Sequence, residues 1–341
     1  MNVLLTIGGL QRTRAMAKVL FETVLMAVLV YVGFLIYFVA APQNQLQGAP
    51  MTARADQEYT VQHNLLRRRY LVHLPAGYDR TKKYPVVIAL HGGMARSELQ
   101  RDMSKMNPVA DRHGFIVVYP DGTGRTRLLT FNAGSCCGFA ANRGVDDVGF
   151  IRRLIVQELP SKFSIDPDRV YATGFSNGAM LCYRLACELS DLIAAIGPVA
   201  GDLGVEGPLP KRPVPVIHIH GRHDNNVPLA GGVGSNAFQP VPHRSIPETI
   251  AWWVKANHCN PRPIEEVEKH YILKRYEPAP GSEGAPVWFY LLPEGGHAWP
   301  GGADLSAHLK TGNLVAEVDA STLIWKFFEQ HSLASPATSG K

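Results

Sequence analysis

The sequence predicts an α/β protein, with a mostly parallel central sheet covered by helices on both faces and one N-terminal transmembrane helix ahead of it. Three observations carry this reading. From about residue 57 onward, short β-branched and aromatic runs recur that are apolar throughout rather than alternating, as strands buried on both faces require. Helical patterns separate those runs, which is the strand–helix alternation of a parallel sheet. Near the N-terminus an uncharged apolar stretch reaches about 20 residues, the length that crosses a bilayer as a helix.

The strand runs are Arg69–Leu74, Tyr84–Leu90, Phe115–Pro120, Arg169–Thr173, Val214–His220 and Val287–Leu292. Asp146 or Asp147 can cap a helix running through Ile151, Leu154 and Ile155. Leu159-Pro160 should end that helix or lie just past it, because proline cannot continue the hydrogen-bond ladder. Gly178–Leu189, Ile246–Asn257 and Ala316–Gln330 read as further helices, and Trp252 and Trp253 as core residues on one of them.

The uncharged stretch runs from Thr23 to Ala41, and Arg12, Arg14 and Lys18 precede it. A positive flank stays on the cytoplasmic side, so the rest of the chain is expected outside the cytoplasm, in the periplasm or at the cell surface. The apolar core exceeds that of an ordinary cleaved signal, and Pro42 follows the small pair Ala40-Ala41 where a cut would fall. The expected organisation is a basic flank over 1–18 and a transmembrane signal anchor, or uncleaved signal peptide, over 19–41. A Gln/Pro/Ala/Gly linker over 42–56, a catalytic domain over 57–332 and a flexible tail over 333–341 follow.

Composition narrows the function classes. A hydrophobic fraction of 46% is enough to bury a substantial core. The net charge of +5 is mild and forms no dense basic stripe, so no nucleic-acid partner is expected. The Arg67–Arg69 run reads as the solvated entry to a strand. Neither a phosphate-binding P-loop nor a complete G-x-G-x-x-G after a strand occurs, and no cofactor is implied. His218 and His220 form a His-x-His pair, but no matching carboxylate cluster accompanies them, so no metal is expected.

The sharpest signal is Gly174-Phe175-Ser176-Asn177-Gly178, a G-x-S-x-G that follows one strand run and opens a helix. A turn this tight forces the serine into a strained backbone and needs small neighbours, and it lifts the hydroxyl above the sheet. In the α/β-hydrolase fold the order is serine, acid, histidine. Asp224 follows the Val214–His220 strand and is the expected acid, with Asp202 as the rival after the strand next to the elbow. His297 follows the last strand in Pro293-Glu294-Gly295-Gly296-His297 and is the expected base. His91, His218, His220 and His223 read as structural or supporting. The oxyanion donors are expected to be the backbone N–H of Asn177 and one from the His91-Gly92-Gly93-Met94 loop, Gly93 first and Met94 second.

The chain also resembles the extracellular polyhydroxybutyrate depolymerase and feruloyl esterase family, in particular its LpqC-like branch. The resemblance rests on Leu90-His91-Gly92-Gly93, Tyr119-Pro120-Asp121-Gly122, Asn132-Ala133-Gly134-Ser135-Cys136-Cys137-Gly138 and Val145-Asp146-Asp147-Val148-Gly149-Phe150. It extends through the elbow, Tyr183–Glu188, Pro198-Val199-Ala200-Gly201 and Gly296-His297-Ala298-Trp299-Pro300-Gly301. It implies an extracytoplasmic enzyme cleaving esters of hydroxyacids, phenolic acids or acetylated sugars, with the same triad. Members often carry Trp where this chain has Phe131, and often a further cysteine within the stretch 260–296, which has none here.

The chain has five cysteines, so at least one is free or bonded to another molecule. In an extracytoplasmic domain, Cys136 or Cys137 is expected to pair with Cys187 and brace the loop beside the site, against an alternative of reduced, buried thiols. Tyr119, Phe131 and Trp299 flank the motif loops and are candidate substrate contacts. The leading reading is a serine ester hydrolase. The alternatives are a serine peptidase of the same fold and a catalytically silent surface binding protein.

Overall fold

Among the described residues ten strands join in one sheet, in the order β1-β2-β4-β3-β5-β6-β7-β10-β9-β8. They are β1 Gln57–His63, β2 Leu66–His73, β3 Tyr84–Leu90, β4 Ile116–Pro120, β5 Ile165–Phe175, β6 Ala195–Val199, β7 Val216–Gly221, β8 Ile264–Val267, β9 Ile272–Tyr276 and β10 Val287–Leu292. The structure is a computed structural model and describes residues 56–304 and 312–333, all within one unit, Ala53–Lys341. The basic flank, the transmembrane segment, nearly all of the linker and the tail beyond Leu333 lie outside the described residues. Among the described residues no helix is long and apolar enough to cross a membrane.

The six central strands, β4-β3-β5-β6-β7-β10, pair in parallel. The antiparallel strands β1 and β2 close one edge, and β9 and β8 the other. The parallel strands other than β6 match the continuous apolar runs, β3 and β10 have the expected bounds, and the run Arg69–Leu74 falls on the antiparallel β2. Successive residues of β3 alternate between two cores, as a pleated strand requires. Val86, Ile88 and Leu90 enter one hydrophobic cluster, and Val87 and Ala89 enter the other.

Among the described residues eight α-helices cover these faces: α1 Ser97–Ser104, α2 Met106–His113, α3 Gly138–Asn142, α4 Asp147–Arg153, α5 Leu159–Lys162, α6 Asn177–Glu188, α7 Ile246–Ala256 and α8 Ala320–Phe328. The first core takes Leu154, Leu181, Leu185, Ile250 and Trp253, and the second takes Met106, Val109, Ile324 and Phe327. Each face is therefore roofed by its own helices, as expected of an α/β sheet.

Local chemistry sets the helix ends. Asp146 caps α4, its side chain accepting from Gly149 N–H at 2.8 Å. Pro160 does not end the helix as expected. A π-helical stretch, Leu154–Glu158, links α4 to α5, whose first turn holds the proline. A first-turn N–H needs no partner within the helix, so proline is tolerated there, and the wider π turn carries the chain into it. Ser245 and Glu248 form a reciprocal capping box on α7.

The Arg67–Arg69 run also departs from expectation. Arg68 is buried, and its Nη2 donates to Asp147 Oδ1 at 2.6 Å and to Asp121 O at 3.0 Å. Arg69 donates to Asp121 Oδ2 at 2.8 Å and Glu58 Oε2 at 2.9 Å. Only Arg67 keeps the solvated character expected of all three, because the pleat of β2 turns its neighbour inward.

Candidate active site

The site is assembled where β5 turns into α6. Ser176 sits between them with φ 54° and ψ −117°, a left-handed backbone that a side chain rarely adopts. Two bonds hold it there: Ser176 N–H donates to Val199 O at 2.9 Å, and Met180 N–H donates to Ser176 O at 3.0 Å. Both flanking glycines are needed for space. A Cβ on Gly174 would lie 2.6 Å from the Gly178 carbonyl carbon, and one on Gly178 would be 2.6 Å from His91 O.

The acid and base loops meet at the ends of β7 and β10. His297 Nδ1 lies 2.7 Å from Asp224 Oδ2, and the two side chains are 5% and 0% exposed. The other oxygen, Asp224 Oδ1, accepts the N–H groups of Asn226 and Val227, both at 2.8 Å. His223 N–H donates to Gly295 O at 2.8 Å, tying one loop to the other. A Cβ on Gly221 would lie 2.5 Å from the Gly295 carbonyl carbon, so this close approach requires glycine. Burial alone would raise the Asp224 pKa, but the charge and hydrogen bond of His297 outweigh it and hold the carboxyl below its ordinary 3.8. The ring of His297 packs 4.7 Å from that of Phe175, the residue before Ser176.

A buried chain supports the acid loop from behind. His220 Nε2 faces Val227 O at 2.9 Å and His218 Nε2 faces His220 Nδ1 at 3.3 Å. Tyr183 Oη lies 2.7 Å from His218 Nδ1. A carbonyl only accepts, so His220 carries its proton on Nε2, His218 does likewise, and the tyrosine donates. Burial lowers the pKa of both histidines and favours these neutral forms.

The expected oxyanion loop borders the elbow. Gly122 N–H donates to His91 Nε2 at 2.9 Å, so Nδ1 is the protonated nitrogen and donates to Gly92 O at 2.7 Å. Burial pushes the His91 pKa down to about 4, which keeps this clamp neutral. A Cβ on Gly92 would be 3.5 Å from Ser176 Cβ, and one on Gly93 would be 3.7 Å from Asn177 Cβ. Gly93 and Asn177 are thus neighbours beside the serine. Met94 takes φ 62° and is half exposed.

The structure corrects the expected substrate contacts. Tyr119 lies on β4 fully buried in the second core, its hydroxyl donating to Asn107 Oδ1 at 2.7 Å. Trp299 is buried, its Nε1 donating to Ser321 Oγ at 3.1 Å. Phe131 is buried with its ring 4.4 Å from that of His91. Each flanks a motif in sequence, but each points into protein.

Cys136, Cys137, Cys182 and Cys187 are all buried in the first core. What holds the 131–137 loop is Asn177. Its Oδ1 accepts from Phe131 N–H at 2.7 Å, and its Nδ2 donates to Phe131 O at 3.0 Å. Asp147 Oδ2 accepts from Asn132 N–H at 2.7 Å and Arg184 Nη1 donates to Asn132 O at 2.9 Å. Asp202, the rival acid, pairs instead with His243, Oδ1 to Nδ1 at 3.0 Å.

Sequence reasoning missed Phe238. It is half exposed in the loop between β7 and α7, and its ring would be 2.7 Å from a Cβ placed on Gly93. The surrounding stretch of Gly, Ser, Asn and Pro has no periodicity that could mark it.

A parallel sheet with a serine on a strained strand-to-helix turn, an acid after β7 and a histidine after β10 defines an α/β-hydrolase fold. The chain belongs to the polyhydroxybutyrate depolymerase and feruloyl esterase family, whose Esterase PHB depolymerase description matches residues 68–232. A Nocardia uniformis subsp. tsuyamanensis protein named as a candidate esterase, NocK, is 30% identical over 258 residues, covering 69% of this chain and 71% of that one. Feruloyl esterase B of Piromyces equi is 33% identical over 238 residues, which are 68% of this chain but 42% of that longer protein. The chain therefore spans less than half of that relative. A ferulic acid esterase structure from Anaeromyces mucronatus, in complex with ferulic acid, superposes with a TM-score of 0.53 at 17% identity, covering 85% of this chain and 96% of that one. At that identity the likeness shows the fold.

Proposed function

We propose that the chain is a serine-dependent carboxylic ester hydrolase acting outside the cytoplasm on hydroxyalkanoate, feruloyl or similar esters through an acyl-enzyme. The observation that carries this reading is the 2.7 Å contact of His297 with the buried Asp224, beside the ring that precedes Ser176. Membership of an esterase family and the feruloyl esterase relative support the ester as substrate.

In this reading Ser176 Oγ attacks the ester carbonyl carbon while His297 Nε2 takes its proton. Asp224 holds the ring through Nδ1 and stabilises the imidazolium. The N–H groups of Gly93 and Asn177 receive the charge that develops on the carbonyl oxygen. The carbon–oxygen bond to the alcohol breaks, and His297 returns the proton to the leaving oxygen. Water then adds to the acyl-serine with His297 again as base, releasing the acid and restoring the serine hydroxyl.

Residues 57–332 are the catalytic domain in this reading. The segment 19–41 is a signal anchor, supported by its uncharged length and by Arg12, Arg14 and Lys18 ahead of it. Carbonate extraction and external protease protection of the full chain test that placement, and a cytoplasmic soluble protein would refute it.

The test of activity compares the full chain with Ser176→Ala on p-nitrophenyl acetate and butyrate, methyl ferulate and hydroxybutyrate oligomers. The expected result is turnover on at least one ester and its loss in the variant. Equal turnover by both proteins would exclude Ser176 as nucleophile, and no turnover on any ester by the folded protein would exclude the esterase.

A further inference from the structure

The loop between β7 and α7 presents Phe238 to the site in a fixed way. Gly232 and His243 exchange backbone hydrogen bonds at 2.9 Å in both directions. Asn236 N–H donates to Asn225 O at 2.9 Å, next to the acid. Gln239 Oε1 accepts from Gly138 N–H at 2.7 Å, reaching the cysteine loop. At its far end, the buried Asp202 accepts from Arg244 N–H at 2.8 Å and pairs with His243.

Phe238 is nevertheless 51% exposed. A tied loop thus leaves a large aromatic face open to water, and a surface of that kind gains free energy when an apolar partner covers it. Its ring edge lies against Gly93, on the side of Asn177. Met94, next to Gly93 in the chain, is 44% exposed.

The position also selects which end of an ester it meets. The leaving oxygen must face His297, which protonates it, and His297 packs on Phe175. Phe238 lies instead against Gly93 beside Asn177, the pair expected to hold the carbonyl oxygen, and the group that stays on that carbonyl carbon when the alcohol leaves is the acyl group.

We propose that Phe238 is a specificity-determining residue, the wall of the acyl subsite, favouring flat apolar acyl groups over acetyl. This rests on the ester-hydrolase reading above. The three aromatic residues near the motifs are enclosed in the core, and Phe238 takes the role expected of them.

The test uses the full chain and two ester series. Methyl acetate, butyrate, benzoate and cinnamate vary the acyl group at constant alcohol. Ethyl, benzyl and phenyl acetates vary the alcohol at constant acyl group. In Phe238→Ala the ratio of kcat/KM for methyl cinnamate over methyl acetate should fall about tenfold, the size of one lost aromatic contact. Phe238→Tyr should keep the ratio within about twofold, and Phe238→Leu should lower it, since leucine keeps bulk without a flat face. These two variants carry the test if the alanine variant does not fold. The alcohol series should keep its order in all of them.

An unchanged acyl ratio in Phe238→Ala and Phe238→Leu would overturn the inference, as would a shift confined to the alcohol series. The Ser176→Ala control separates the two readings. If it abolishes turnover and the acyl ratio does not move, the subsite fails alone. If turnover survives in Ser176→Ala, the mechanism itself fails.

Discussion

His297 Nδ1 meets Asp224 Oδ2 at 2.7 Å, while the other oxygen of that carboxylate is held by two backbone N–H groups. The carboxylate is therefore held in place on both oxygens. Asp224→Asn keeps the size but replaces an acceptor-only group with an amide. This substitution should lower kcat by about three to four orders of magnitude with little change in fold, as read by steady-state kinetics and circular dichroism. A loss of less than about tenfold would mean that another acid orients the ring.

The Asn177 side chain clamps the backbone of Phe131. Asn177→Ala keeps the backbone donor but leaves Phe131 N–H without its acceptor. Stability should drop by about 1–3 kcal/mol in urea unfolding. Asn177→Asp keeps that acceptor but turns a second acceptor oxygen toward Phe131 O in a buried site, so it should lose at least as much. Equal stability of all three proteins would show that the loop needs no such clamp.

The buried pair Arg68–Asp147 anchors the same loop through Asn132. Removing one partner strands the other charge in the core. Asp147→Asn should destabilise the fold by about 3–5 kcal/mol, and an apolar replacement of both partners should recover much of that loss. Denaturant titration of the two variants checks this, and additive losses would contradict it.

His73 ties β2 to Asp56 and Asp111, at 3.0 and 3.1 Å. Burial alone would lower its pKa, but these two carboxylates outweigh burial and raise it above the ordinary 6.5. Arg101 and Asn107 also bind Asp56 and hold it in place. A raised histidine pKa contributes stability that is complete below the unfolded value and fades as pH rises through the folded one. The stability gap between the protein and His73→Gln should therefore be wider at about pH 5.5 than at about pH 8.5. A gap that widens with pH would reverse the assignment.

Legibility in the sequence followed burial and periodicity. The strands β3 and β10 are apolar throughout, and their ends could be read directly. The edge strands β1, β8 and β9 escaped, because their polar or exposed residues, such as Ile264–Val267, carry no apolar run. The bounds of β6 also escaped, because Gly197 and Pro198 interrupt its apolar pattern, and Gly197 is small because Ile324 packs against it.

That Asp224 and His297 would meet could be read because chain order and loop position constrain them. The aromatic contacts could not, because closeness to a motif does not fix which way a side chain points. Tyr119 faces the second core, whereas Phe238 reaches Gly93 from a distant loop.

The central claim is that Ser176 becomes covalently acylated. The most direct measurement treats the full chain and Ser176→Ala with a p-nitrophenyl alkylphosphonate, which traps an activated serine, and maps the adduct by peptide mass. One adduct on the peptide containing Ser176, absent from the variant, is the predicted result. Equal labelling of both proteins, or an adduct on another residue that abolishes turnover, would contradict the account.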